Sequence, residues 1–164
     1  MIASIINCIY YSKMAKKLIG YMITWTTYGS WLQGDKRGYV LNDQILALND
    51  KLRLTNQTQQ KYPTFKLNLQ QRQTVEEAIL EEAMRINQKV FAIAVRSNHV
   101  HIVASVSIES IEQAVHRCKY SATLALRKLG IQDKIWSKDF DKRFCFTDKE
   151  IETKVKYVKN HNNG

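Results

Sequence analysis

The stretch Val90 to Val106, V-F-A-I-A-V-R-S-N-H-V-H-I-V-A-S-V, holds two runs of β-branched and apolar residues separated by Ser97 and Asn98. Val, Ile and Phe favour strands and Ser-Asn is turn chemistry, so Val90–Arg96 and Val100–Val106 predict an antiparallel hairpin. Side chains alternate across a strand. Val100, Ile102, Ala104 and Val106 therefore share a face suited to packing, while His99 and His101 project together from the other, toward an open cleft.

The periodicity on either side of the hairpin is helical. Upstream, Thr74 is placed to cap a helix running to Gln88, with Glu77 three residues on as in a capping box and Val75, Ile79, Glu82/Ala83 and Ile86 along one face. Downstream, Ile111, Val115, Cys118, Ala122, Ala125 and Leu129 recur at helical spacing over Ser110–Leu129, and Gly130 stands where a C-terminal cap belongs. Ile19–Thr27 reads as a first strand ending in a Tyr28-Gly29 turn. A strand-like stretch, Ile135–Phe146, precedes a last helix from about Asp148 to Asn160 with an apolar stripe of Ile151, Val155 and Val158.

The order β, α, β, β, α, β, α predicts an α+β domain of ferredoxin-like, or RRM-like, form. That form is an antiparallel sheet with helices packed on one face; it puts the histidine pair on a central strand and Tyr157 on the C-terminal helix. Residues 19–164 read as a single domain and 1–18 as an N-terminal extension, with Met14 an alternative start. From Gly34 to Gln73 the chain turns polar, through Gly38, a Thr/Asn/Gln cluster at 55–60 and Pro63. A polar insertion at about 34–73 with little regular structure is expected.

A formal charge of +10 favours polyanionic partners, because neutralising phosphates releases counterions. Hydrophobic content of 45% argues against disorder, and the apolar run in 1–11 is too short to span a bilayer. No membrane association is expected. Cys8, Cys118 and Cys145 are odd in number and widely spaced with no C-x-x-C pair, which suggests neither a disulfide framework nor a zinc ribbon and fits a reducing cytoplasm.

Two neutral imidazoles on one strand face can grip one metal ion, although two satisfied histidines in a half-buried strand would look the same. Tyr157 and His161 are four residues apart and lie about 40° apart around the helix axis, flanking the apolar stripe. His161 could supply a third ligand from the helix that carries the tyrosine. The alternative is a boundary tyrosine and a frayed terminal histidine.

In combination these residues resemble the single-tyrosine HUH transposases of the insertion-sequence-200 type, and especially the REP-associated tyrosine transposases. The resemblance rests on H-V-H at 99–101, on K-Y-V-K-N-H at 156–161, on T-W-T-T-Y-G-S-W-L-Q-G-D-K-R-G-Y-V at 24–40 and on Trp136 in I-W-S-K-D-F. It covers roughly Tyr21 to His161. It implies that His99 and His101 bind a divalent metal, Mg²⁺ or Mn²⁺, and that Tyr157 attacks a DNA phosphodiester to form a 5′-phosphotyrosine. His161 falls where relatives place a polar third ligand such as Gln or Asn, with Asn160 an alternative donor.

The implied activity is a metal-dependent single-stranded DNA endonuclease and strand transferase, acting in transposition or on repeated palindromic elements. The implied partner is single-stranded or hairpin DNA, and a homodimer is compatible. Tyr28 and Trp31, interleaved with Lys36 and Arg37, could form a stacking platform with Tyr39, while Arg143 and Lys154 could contact the backbone. Trp25 reads better as core. The competing reading is a non-catalytic RRM-like nucleic-acid-binding domain, indifferent to metal removal.

Overall fold

The computed structural model describes residues 16–30, 39–41, 44–46 and 49–162. The first fifteen residues, Trp31, Lys36 and Arg37 lie outside the described residues. In chain order the strands are β1 (Gly20–Thr26), β2 (Tyr39–Leu41), β3 (Gln44–Leu46), β4 (Val90–Val95), β5 (His99–Ser105) and β6 (Asp141–Cys145). The helices are α1 (Asp50–Thr58), α2 (Leu69–Arg85), α3 (Ile111–Lys128) and α4 (Asp148–Asn162).

The hairpin forms as its alternation requires: β4 and β5 pair antiparallel, and Arg96 N donates to His99 O across the turn at 2.8 Å. The sheet order is β4-β5-β1-β6, every pair antiparallel, so β1 and β5 are interior. This is the split βαβ arrangement: α2 carries the chain from β1 to β4 and leaves a gap that β5 fills.

Alternation then divides the apolar residues between two faces. Tyr21, Ile23, Trp25, Val100, Ile102 and Ala104 pack on Val75 and Ile79 of α2 and on Val115, Cys118, Ala122 and Leu126 of α3. Met22, Ala94, Val103 and Cys145 pack on Ile151 and Val158 of α4, with Val155 partly buried beside them. The two long helices thus cover one face as expected, and the terminal helix crosses the other. Each fully buried Val, Leu or Ile contributes roughly 1.5–3 kcal/mol. The larger cluster therefore carries most of the stability, and the smaller one seats α4.

Several element boundaries differ from the periodicity reading. The helix expected to start at Thr74 starts at Leu69, because Asn68 and Gln71 form the reciprocal capping box, each backbone N–H donating 2.9 Å to the other's side-chain oxygen. Thr74 is mid-helix, its hydroxyl donating back to Gln70 O at 3.1 Å. Within the stretch expected to be irregular, β2 pairs with β3 and α1 forms a short helix. Phe65 and Leu67 enter the main core, tied in by Phe65 N to Tyr28 O and Leu67 N to Ser97 O.

Of Ile135–Phe146, only Asp141–Cys145 joins the sheet. Trp136 instead bridges Thr27 and meets Trp25 edge-on at 6.2 Å, while Lys119 Nζ donates to the carbonyls of Ser137, Lys138 and Asp139. Those contacts hold the segment off the sheet edge. Gly130 adopts a φ of 84°, the left-handed conformation its capping position called for.

Gly20 opens β1 where the backbones approach too closely for a side chain. A Cβ there would sit 2.7 Å from Ala104 O and 3.1 Å from Ile151 Cδ1. Gly20→Ala is therefore expected to destabilise the fold by about 1–3 kcal/mol, read as a lower urea midpoint. An unchanged midpoint would mean β1 and β5 separate at little cost.

Candidate active site

His99 and His101 point the same way because both lie on β5, and β1 and β6 extend their face as rows across the sheet. Thr26 is in register with His99, Thr24 with His101, and Asp141 of β6 with Thr24. Above this face runs α4. Its first turn is closed by a T-D-K-E capping box: Glu150 accepts from Thr147 N at 3.1 Å, and Glu150 N donates to Thr147 Oγ1 at 3.3 Å. With Ile151, Val155 and Val158 docked on the sheet, the adjoining stripe of α4 brings Tyr157 and His161 over the histidines.

The four rings form one cluster. His101 lies 4.7 Å from His99, 4.9 Å from His161 and 5.6 Å from Tyr157 between ring centroids. His161 lies 5.5 Å from His99 and 5.0 Å from Tyr157. One ligand nitrogen from each of the three histidines falls within 4.8 Å of the other two, so the triad could hold a metal ion. Nitrogens sharing one ion at about 2.0–2.1 Å would sit closer together than that limit, which small ring rotations can supply.

Electrostatics favour a cation ligand over a proton carrier. Burial, the largest cause, together with the neighbouring His99, His161 and Arg143 pushes the His101 imidazole down to about 4, against a smaller opposite effect from Asp141. At neutral pH His101 is neutral, the state that binds metal. Its Nδ1 lies 2.7 Å from Thr24 Oγ1, and His99 Nδ1 lies 2.7 Å from Asn98 Oδ1. Tyr157 is 48% exposed, so the residue can be reached from solvent.

The remaining predicted residues are more dispersed. Lys154 is on α4, one turn before Tyr157 and half-buried. Arg143 is exposed on β6 in register with Met22, on the histidine face, and donates to Asp141 Oδ2 at 3.1 Å. Tyr28 lies past the end of β1, outside the ring cluster, edge-on to Tyr62 at 5.9 Å. Trp25 is core, 1% exposed. Sequence reading missed Thr24 and Asp141, and it took Asn98 only as a turn residue. The available signal was polar residues at alternate positions in β1, whose partner strand the sequence does not name.

The class the fold defines is an α+β domain whose four-stranded antiparallel sheet carries a histidine pair on an interior strand, faced by a tyrosine-bearing terminal helix. The family model for IS200-like transposases matches residues 49–161, more than half of the chain, and the protein belongs to that family.

Among solved structures, the chain is similar to a REP-associated tyrosine transposase bound to a REP hairpin, with 15% identity and a TM-score of 0.49. The match covers 87% of this chain, which spans 65% of that protein's length. It is also similar to a Deinococcus radiodurans R1 protein described as a transposase, with 10% identity and a TM-score of 0.46, covering 88% of this chain and 91% of the other. The comparison with curated proteins returned no match. Among the described residues, no helix is long and apolar enough to cross a membrane.

Proposed function

We propose that this transposase-family protein is a metal-dependent single-stranded DNA endonuclease and strand transferase that works through a 5′-phosphotyrosine on Tyr157. The observation that carries the reading is convergence: two motifs more than fifty residues apart in sequence meet with Tyr157 5.6 Å from His101, ring to ring. The donor chemistry fits a bound ion, since three imidazoles converge and both strand histidines have their Nδ1 engaged. A divalent ion held by His99, His101 and His161 would act as a Lewis acid toward a non-bridging oxygen of the scissile phosphate. Of Mg²⁺ and Mn²⁺, an all-imidazole set favours Mn²⁺, because Mg²⁺ prefers oxygen ligands.

Tyr157 supplies the nucleophile. A phenol is a weak attacker while protonated, so its proton must leave to solvent, which reaches this half-exposed residue. The Tyr157 oxygen forms a bond to phosphorus and the bond from phosphorus to the 3′ oxygen breaks. That 3′ oxygen takes up a proton and departs as a hydroxyl. The phosphotyrosine conserves one phosphodiester-like bond, so attack by another 3′-hydroxyl rejoins DNA without a nucleotide cofactor. Lys154, on the same side of α4, and Arg143, on the histidine face, would neutralise backbone phosphates. Tyr28 would stack a base.

Single-stranded or hairpin DNA is the proposed substrate, and the free, buried Cys118 and Cys145 fit a reducing cytoplasm. The test is incubation with Mn²⁺ and a pool of hairpin-bearing single strands. Protein covalently joined to DNA is expected, and a chelator should abolish it. Strand binding that survives chelation with no nicking and no adduct would return the protein to the non-catalytic alternative.

A further inference from the structure

We infer that Thr24 is a positioning residue for His101, holding its ring in the tautomer that presents Nε2 to a metal; the inference rests on the metal-site reading above. By alternation β1 turns three side chains beyond Gly20 toward the histidine face: Met22, Thr24 and Thr26. Each has a different occupation. Met22 is buried in the small core under α4, and Thr26 Oγ1 pairs with Ser137 Oγ at 3.0 Å. Thr24 stands directly across from His101 in the β1–β5 register, its Oγ1 2.7 Å from His101 Nδ1.

A neutral imidazole carries one proton on one of two nitrogens, and the hydrogen bond at Nδ1 decides where it sits. When Nδ1–H donates to the Thr24 hydroxyl, the lone pair is on Nε2. The neighbouring histidine has the same arrangement by a stricter rule, because the Asn98 side-chain oxygen only accepts and so requires the proton on His99 Nδ1. With the His101 Nδ1–H donating to the Thr24 hydroxyl, both strand histidines are set alike. At His101 the constraint is tightest: the residue is 7% exposed, so water cannot readily replace a lost partner. A threonine is also the right residue for the place, since its branched Cβ suits an interior strand and its hydroxyl reaches the adjacent one.

Thr24→Val removes the hydroxyl and keeps the branching, while Thr24→Ser keeps the hydroxyl. In calorimetric titrations of the full chain with Mn²⁺, the valine variant should bind about 10–100-fold more weakly, the usual effect of losing a ligand's hydrogen-bond partner. The serine variant should stay within about threefold of the parent. NMR of isotope-labelled histidine in the metal-free protein should show His101 protonated at Nδ1, with that preference lost in the valine variant. A valine variant with parental Mn²⁺ affinity overturns the inference, even if its melting temperature falls. If the parent itself binds no Mn²⁺, the metal-site reading fails and the tautomer decides about Thr24: protonation at Nδ1 upholds it and protonation at Nε2 refutes it. The parental tautomer decides in the same way if the valine variant does not fold.

Discussion

Tyr157→Phe is expected to end covalent capture of single-stranded DNA, lowering nicking on the order of 10⁴-fold or more, as loss of a nucleophile does elsewhere. The substitution deletes one oxygen and keeps the ring that packs beside His101 and His161. Because the residue is 48% exposed, no buried hydroxyl is lost, and stability should change by less than about 0.5 kcal/mol. DNA affinity should be nearly unchanged, since phosphate neutralisation by lysines and arginines supplies most of it. Denaturing gels separate the outcomes. An adduct that persists in the phenylalanine variant would move the nucleophile to another side chain.

His101→Ala is expected to remove metal binding. This ring is one corner of a near-equilateral triangle of histidines, and its loss leaves one ligand on β5 and one on α4. The effect should exceed the about 10–100-fold cost of losing a ligand's hydrogen-bond partner. In the parent, Mn²⁺ at a hundredfold excess over Kd stabilises the fold by about 2.7 kcal/mol, which for a chain of this size raises Tm by roughly 5–10 °C. The variant should show no such rise. Truncation itself costs about 1 kcal/mol, so the comparison is of metal-induced shifts and not of absolute Tm. A full shift in the variant would place the ion elsewhere.

What the sequence could disclose depended on whether the relevant contact was local. The hairpin and the shared face of His99 and His101 follow from a two-residue period, and the nearness of Tyr157 to His161 follows from the helical one. Both need only neighbours along the chain. The pairing of Thr24 with His101 spans 77 residues and depends on which strand lies beside β5, which no local pattern encodes. The side of the sheet taken by α4 was half legible: its apolar stripe required a partner, but not a particular face. Thr74 misled because T-x-x-E at 74–77 satisfies the capping pattern, whereas Asn68 and Gln71 made the competing box earlier in the chain, nearly two turns before it. Ile135–Phe146 misled because Trp136 and the Lys119 contacts hold a strand-like composition in a connecting segment.

Tyr157 and His161 share one rigid rod, seated through Ile151 and Val158. Reactive phenol and third donor cannot be tuned separately: a one-residue slip of that rod would swing both by about 100° and disarm them in a single event. Conversely, any deformation that tips the rod toward an incoming strand carries donor and attacker together, so the spacing between them survives the movement of either.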